Sequence, residues 1–264
     1  KLLNFVDILL CEDTRKTSKL LSAHGVKNKT LISYNDHNAS KKRPYVINQL
    51  LLDKSIGLVS DAGTPLISDP GYKLVQECYL KNINVTHSPG PSSVINALVL
   101  SNLPSDQFYF GGFIPSNKSG KEKKFLLTKY NQMTGIWFDT CIRLPNTLKV
   151  MLNIYGNRKI SIMRELTKTH EDVILSDLEN IENILLKRKE SNIPLLGEIV
   201  VVISGYQLNS DLDIDIIKDN IKEKLSSFSL RDTVNMIVSE TGLSKKIIYE
   251  EAIKINNENI NTKK

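Results

Sequence analysis

The chain runs to 264 residues, 41% hydrophobic and 24% charged, which is ordinary for a folded globular protein and enough for one large domain or two modest ones. No apolar run reaches the ~20 residues that a membrane-crossing helix needs, and no basic-then-apolar leader opens the chain, so a cytoplasmic protein with no membrane partner is expected. Lysine and arginine total 35 against 29 aspartate and glutamate, a formal charge of +6; that excess permits an anionic partner such as RNA but does not require one.

Taken in chain order, the first stretch alternates strands and helices. Residues 6–11 read as a buried strand ending at Glu12-Asp13, and residues 17–24 as a helix stopped by Gly25 in the left-handed position. A second strand, residues 56–60, runs straight into the loop Ser60-Asp61-Ala62-Gly63-Thr64-Pro65-Leu66-Ile67-Ser68-Asp69-Pro70-Gly71. Asp69 and Pro70 fit the N-cap and first position of the next helix, whose apolar stripe is Leu74, Val75, Cys78 and Tyr79. Residues 83–86 read as a third strand, and Pro89-Gly90-Pro91-Ser92-Ser93 leads into an apolar helix over 94–100. This alternation predicts an open, mostly parallel α/β sheet.

Residues 111–120, with Gly111, Gly112, Pro115 and Gly120, break the rhythm and are expected to join two domains. Beyond them, strands at 136–138, 160–163 and 199–203, linked by helices near 144–155 and 178–189, predict a second α/β domain. After about Gln207 the pattern is helical only. Ser229 and Asp232 suit a capping box, Gly242 marks a turn and Ser244 starts another helix. The expected divisions are therefore 1–113, 114–209 and 210–264. The two closing helices have helix-turn-helix spacing, which serves either nucleic-acid docking or plain packing. Cys11, Cys78 and Cys141 lie far apart among apolar neighbours; neither a disulfide framework nor a metal site is expected from them.

In an open α/β sheet, ligands sit beyond the carboxyl ends of the strands, where residues 60–71 and 88–93 fall. Glycine lets backbone approach a ligand closely, and proline holds a loop's shape in advance. The spacing is neither that of a phosphate-cradling loop nor that of the dinucleotide fingerprint. The longer loop holds Asp61 and Asp69 but no lysine or arginine, a poor lining for phosphates and a good one for a cation. S-adenosylmethionine, with its sulfonium and ammonium groups, is such a ligand; tight turns with no ligand would have the same composition.

Cys11-Glu12-Asp13-Thr14-Arg15, the loop 60–71, Pro89-Gly90-Pro91-Ser92-Ser93, Arg164-Glu165-Leu166-Thr167-Lys168 and Gly197-Glu198-Ile199-Val200 occur in this order. Together they resemble the ribosomal-RNA-directed branch of the tetrapyrrole methylase superfamily, over nearly the whole chain. The resemblance implies two α/β domains of tetrapyrrole-methylase type with S-adenosylmethionine in the cleft between them, a C-terminal helical tail, and a homodimer. It also implies 2′-O-methylation of a cytidine ribose in the decoding region of 16S rRNA, within the 30S subunit. Asp61, Ala62, Gly63, Thr64, Pro65 and Ile67 match the first cofactor loop, with Thr64 where the wider superfamily has an aspartate. Pro89, Gly90, Ser92 and Ser93 match the second, and Met163, Gly197 and Glu198 match cofactor-facing elements of the second domain. The family's first strand, with its Ile-Gly-Asn-Leu type loop, is expected before Lys1. Phe138-Asp139-Thr140-Cys141-Ile142-Arg143-Leu144 stands for the family's Tyr-Glu-Ser-Pro-His-Arg-Leu and lacks its histidine. Tyr34-Asn35-Asp36-His37-Asn38 stands for Tyr-His-x-His-Asn.

Methyl transfer from a sulfonium is an in-line displacement in which positioning does most of the work, and a ribose hydroxyl benefits from a base or charged neighbour. The catalytic candidates are Glu12, Asp13, Glu165 and Lys168. Glu12 and Asp13 either face the ligand or cap the following helix; Glu165 and Lys168 are either functional or a solvated pair. Arg15, Asp36, His37 and Arg164 are the candidates for RNA contact, with pairing to Asp13 the other role open to Arg15 and a plain surface position the other for His37. Two further functions fit the same residues: methylation of a small tetrapyrrole-like molecule, and a truncated remnant with impaired activity.

Overall fold

A computed structural model describes residues 2–191, 197–207, 213–241 and 245–261. The chain divides into two compact units, Lys1–Ser93 and Val94–Lys264.

In the first unit, α1 (Leu2–Phe5) precedes β1 (Ile8–Cys11), α2 (Thr14–Ala23), β2 (Thr30–Ser33), α3 (Ala39–Leu51), β3 (Ile56–Val59) and α4 (Tyr72–Leu80). The strands form one parallel sheet in the order β2-β1-β3, with Leu9 opposite both Leu31 and Gly57. β1 is apolar and buried at all of its positions, as a central parallel strand covered on both faces must be. Ile8 and Leu10 pack with Val46, Ile47, Leu74 and Cys78 from α3 and α4. Since all three strands run the same way, the loops that follow Cys11, Ser33 and Val59 leave the sheet at one edge.

Two expectations for this unit are corrected. Residues 83–86 are not a strand: Ile83 and Val85 pack against the core, but the segment joins no ladder. Helix α4 is capped by Gly71 and begins at Tyr72 rather than at Asp69 and Pro70. With φ at 132°, Gly71 turns the chain through a region that side chains rarely adopt, and Asp69 is left outside the helix end.

The second unit holds α5 (Ser93–Leu100) from its second residue on, then β4 (Phe108–Phe113), α6 (Lys118–Leu127), β5 (Thr134–Thr140), α7 (Leu144–Tyr155), β6 (Lys159–Arg164), β7 (Asp172–Asp177), α8 (Ile181–Glu190) and β8 (Glu198–Ile203). Its sheet has the order β4-β5-β8-β6-β7, with β4 and β5 parallel and the other pairs antiparallel. Side chains alternate across it, as the pleat requires. Ile136, Met163, Val200 and Val202 meet Val94, Ala97 and Leu98 of α5. Trp137, Ile162, Val201 and Ile203 face Phe125 of α6, Leu148 and Met151 of α7, and Ile181 of α8.

The segment expected to be a hinge is part of this unit. β4 is hydrogen-bonded to β5, so residues 94–113 go with the second sheet and the division falls earlier than 113. Gly112, at φ 70°, sits where the β4–β5 register shifts. β7, β4 and α6 are not expected from the sequence, and neither are β2 and α3 of the first unit.

Farther on, α9 (Asp213–Leu225), α10 (Leu230–Thr241) and α11 (Lys245–Asn261) close around Ile221, Val234, Ile237, Ile248, Ala252 and Ile255. Ser229 Oγ accepts from the Asp232 N–H at 3.2 Å and donates to its carboxylate at 2.6 Å, the local pairing that starts α10. Gly242 and Ser244 lie outside the described residues. Among the described residues no helix is long and apolar enough to cross a membrane.

Leu10 is fully buried in the middle of β1. Leu10→Ala is expected to cost about 2–5 kcal/mol, read as a lower urea midpoint; an unchanged midpoint would show that the first sheet does not rest on this strand's burial.

Candidate active site

In the first unit the loops after β1 and β3 are tied together at the carboxyl edge of the sheet. The Asp61 N–H donates to Glu12 Oε1 at 3.0 Å, and the Asp13 N–H to Asp61 Oδ1 at 3.4 Å. Lys16 Nζ reaches Asp61 Oδ2 at 2.7 Å. Asp13 is the N-cap of α2: it accepts from the Arg15 N–H at 2.8 Å and from the Arg15 guanidinium at 3.0 and 2.7 Å. These bonds hold the Asp13 carboxyl far below the usual carboxylate range, which makes it a poor proton acceptor near neutral pH. Arg15 is therefore paired, although its side chain is 86% exposed.

Backbone strain and side-chain ties shape the loop between Ser60 and Gly71. Leu66 and Ser68 have φ of 74° and 62°, a conformation that costs a non-glycine residue about 1–2 kcal/mol. A Cβ on Gly71 would stand 2.5 Å from Leu58, so only glycine fits there. Ser60 Oγ donates to the Gly63 carbonyl at 2.9 Å. Thr64 Oγ1 donates to the Pro91 carbonyl at 3.0 Å, which joins Asp61, Ala62, Gly63, Thr64, Pro65 and Ile67 to the segment with Pro89, Gly90, Ser92 and Ser93.

Asp69, in the same loop, has from the sequence a place in the cation-suited lining and no catalytic role. Burial first, and then the negative charge of Glu12, push its pKa up to about 6; Asp61 and Asp36 act the same way, against a hydrogen bond from Ser60. Asp36 and His37 are exposed in the turn after β2, where Asn35 and Asn38 each accept the other's backbone N–H, at 3.3 and 3.0 Å. The structure thus brings Glu12, Asp36 and Asp61 into electrostatic reach of Asp69 from three loops.

In the second unit Glu165, Lys168 and Glu198 close on each other. The Glu165 N–H donates to the Glu198 carbonyl at 3.1 Å, and the Glu198 N–H to Glu165 Oε1 at 2.8 Å. Lys168 Nζ donates to Glu165 Oε1 at 3.1 Å and to Glu198 Oε2 at 2.8 Å. The Glu198 N–H, and then Lys168, hold the Glu165 carboxyl down, while Glu198 and Glu165 hold the Lys168 ammonium up. Gly197, at φ 103°, has a backbone conformation that side chains rarely adopt, and a Cβ there would displace the Glu165 carboxylate, whose Oε1 would lie 2.3 Å away. Arg164 ends β6 opposite Asp172 and Ile199. Met163, expected beside the cofactor, is fully buried in the core face shared with Val200. Among the described residues no three or more His, Cys, Asp or Glu side chains are grouped to hold a metal ion.

Residues 1–182 match the family Tetrapyrrole (Corrin/Porphyrin) Methylases. The chain belongs to this family. The ribosomal RNA small subunit methyltransferase I of Rickettsia prowazekii is 41% identical to it, over 92% of this chain and 79% of that protein. The protein of the same name from Thermotoga maritima is 39% identical, over 78% of this chain and 90% of its own. Among solved structures, diphthine synthase has a TM-score of 0.57 at 12% identity, covering 76% of this chain and 81% of its own, a likeness of fold. The chain is a methyltransferase, and the polar edge around Glu12, Asp61 and Asp69 is its candidate cofactor site.

A pKa of about 6 for Asp69 in the folded chain exceeds the 3.8 of an ordinary aspartate, so the folded state binds the extra proton. The stability this confers is full below about pH 4 and is lost as pH rises through about 6. Asp69→Asn is expected to flatten the fall of the thermal midpoint between pH 4 and 7. Equal slopes in variant and wild type would exclude Asp69 as its source.

Proposed function

We propose that this methyltransferase carries a methyl group from S-adenosylmethionine to the ribose 2′-hydroxyl of a cytidine in the decoding region of 16S rRNA, within the 30S subunit. The observation that carries the reading is the likeness, over 92% of the chain, to a protein named for small-subunit ribosomal RNA. The donor set of the first unit supports the cofactor. A loop with carboxylates and no lysine or arginine of its own suits a ligand with two positive centres. Asp61, Ala62, Gly63, Thr64, Pro65 and Ile67, with Pro89, Gly90, Ser92 and Ser93, would hold it through peptide groups, the Asp61 carboxylate being already paired with Lys16. When bound, S-adenosylmethionine supplies an electrophilic methyl carbon on a sulfonium. Met163, Gly197 and Glu198 keep the cofactor-binding assignment that the resemblance implies.

The candidate catalytic residues divide by their chemistry. Asp13 stays ionised and orients Arg15. Glu165 and Lys168 neutralise each other and are placed to orient rather than to exchange protons. Glu12 fixes Asp61 through its backbone. Asp69, at about 6, is the group matched to accept a proton near neutral pH, and it joins Glu12 as a proposed catalytic residue. Arg15, Asp36, His37 and Arg164 are proposed RNA contacts, and α10 and α11 a docking element for rRNA. A cytoplasmic homodimer is part of the same proposal.

The test is methyl incorporation from labelled S-adenosylmethionine into unmodified 30S subunits, with nuclease digestion to identify the nucleotide. One methyl on a cytidine ribose is expected, and Asp69→Asn is expected to lower kcat by about 10²–10⁴-fold. Methylation of a porphyrinoid with none on 30S would replace the substrate; neither activity, with no cofactor binding, would mark an impaired remnant.

A further inference from the structure

The end of β5 in the second unit carries a charged cluster that the assignments above leave unused. Asp139 has a fully enclosed side chain. Its Oδ2 accepts from Thr147 Oγ1 at 2.7 Å, and its Oδ1 lies 3.1 Å from Arg143 Nη2. Arg143 Nε donates to Thr140 Oγ1 at 3.2 Å. Both Asp139 and Arg143 act electrostatically on Lys121, which is 1% exposed and donates to Asn146 Oδ1 at 3.0 Å. Arg143 therefore pairs with the enclosed carboxylate, and Lys121 feels both charges without an ion pair to either.

Such a cluster is short of negative charge. Burial pulls the Lys121 ammonium below its usual range despite the opposing pull of Asp139. A purely structural ion pair would be balanced, since enclosed charge without a counterion is costly. Excess positive charge reaches solvent through Arg143, whose side chain is 28% exposed. Its guanidinium is hydrogen-bonded through Nε and ion-paired through Nη2 with an Asp139 Oδ1 that has no hydrogen-bond partner, so the rest of the planar fork is offered toward solvent, the form in which arginine binds phosphate. Next to it Ile142 is 91% exposed, an apolar surface suited to a sugar or base beside that phosphate and of no use to a free ion.

We infer that Arg143 contacts a backbone phosphate of the RNA substrate and that Asp139 is the positioning residue that aims it, an inference resting on the proposal that RNA is the acceptor. The test uses the full chain and its binding to unmodified 30S subunits between about 50 and 200 mM salt. Arg143→Gln is expected to weaken binding about tenfold and to reduce the log–log salt slope by about one. Arg143→Lys should keep the slope and regain part of the affinity, because lysine offers a charge without the fork. Asp139→Asn should raise KM for 30S more than it lowers kcat. Combined with Arg143→Gln it should add no further loss, whereas a merely structural aspartate would add its own.

Should Asp139→Asn fail to fold, the two Arg143 variants decide. Equal affinity and slope in wild type and Arg143→Gln overturn the inference, whether or not 30S is methylated. An Arg143-dependent slope with no methylation supports the phosphate contact and overturns the proposed reaction. A wild-type chain that does not bind 30S overturns both.

Discussion

The common direction of β1, β2 and β3 is the constraint on which the candidate site depends. Parallel strands need crossover connections, and the helices that supply them bury both faces of β1. The polar residues that follow each strand can then leave only at the carboxyl edge. Glu12 and Asp61, far apart in the chain, become hydrogen-bonded neighbours there, and Asp69 is drawn in behind the strained turn at Leu66 and Ser68. Carboxylates so gathered repel one another. Arg15 neutralises Asp13 and Lys16 neutralises Asp61. Asp69 instead holds its proton more tightly, so a ligand with positive charge would find an edge already under electrostatic strain.

The second unit handles charge in two other ways. Glu165, Lys168 and Glu198 form a closed set beside a glycine whose backbone conformation side chains rarely adopt, and shifts on both partners favour the ionised forms. That chemistry fixes geometry and does not trade protons. At the end of β5 the balance is reversed: Asp139 is enclosed with Arg143 and Lys121, and positive charge is left over. The first unit thus carries an acidic edge and the second a basic corner.

Much of the fold is legible in the sequence, and the reason is periodicity. α7 spans the expected residues, and β5, β6 and β8 cover their expected apolar cores, because alternate residues meet different helices. The Ser229–Asp232 pair is readable because both partners lie within one turn. Residues 83–86 fail because an alternating pattern shows which side chains turn inward and not whether a partner strand lies alongside. The division at Ser93 was hidden because Gly111 and Gly112 look like a hinge while serving a strand with a register shift.

For the site, the sequence by itself determined the loops, their glycines and prolines, and the absence of lysine and arginine between Ser60 and Gly71. It left Asp13 with two roles. Tertiary structure chose the cap, because the Arg15 N–H and guanidinium both lie within reach. It also decided what no local pattern contains. Asp69 owes its shift to burial and to carboxylates from other loops, and Asp139 owes its role to enclosure beside two cations. Residue identity is local, whereas desolvation and the sum of neighbouring charges exist only once the chain has folded.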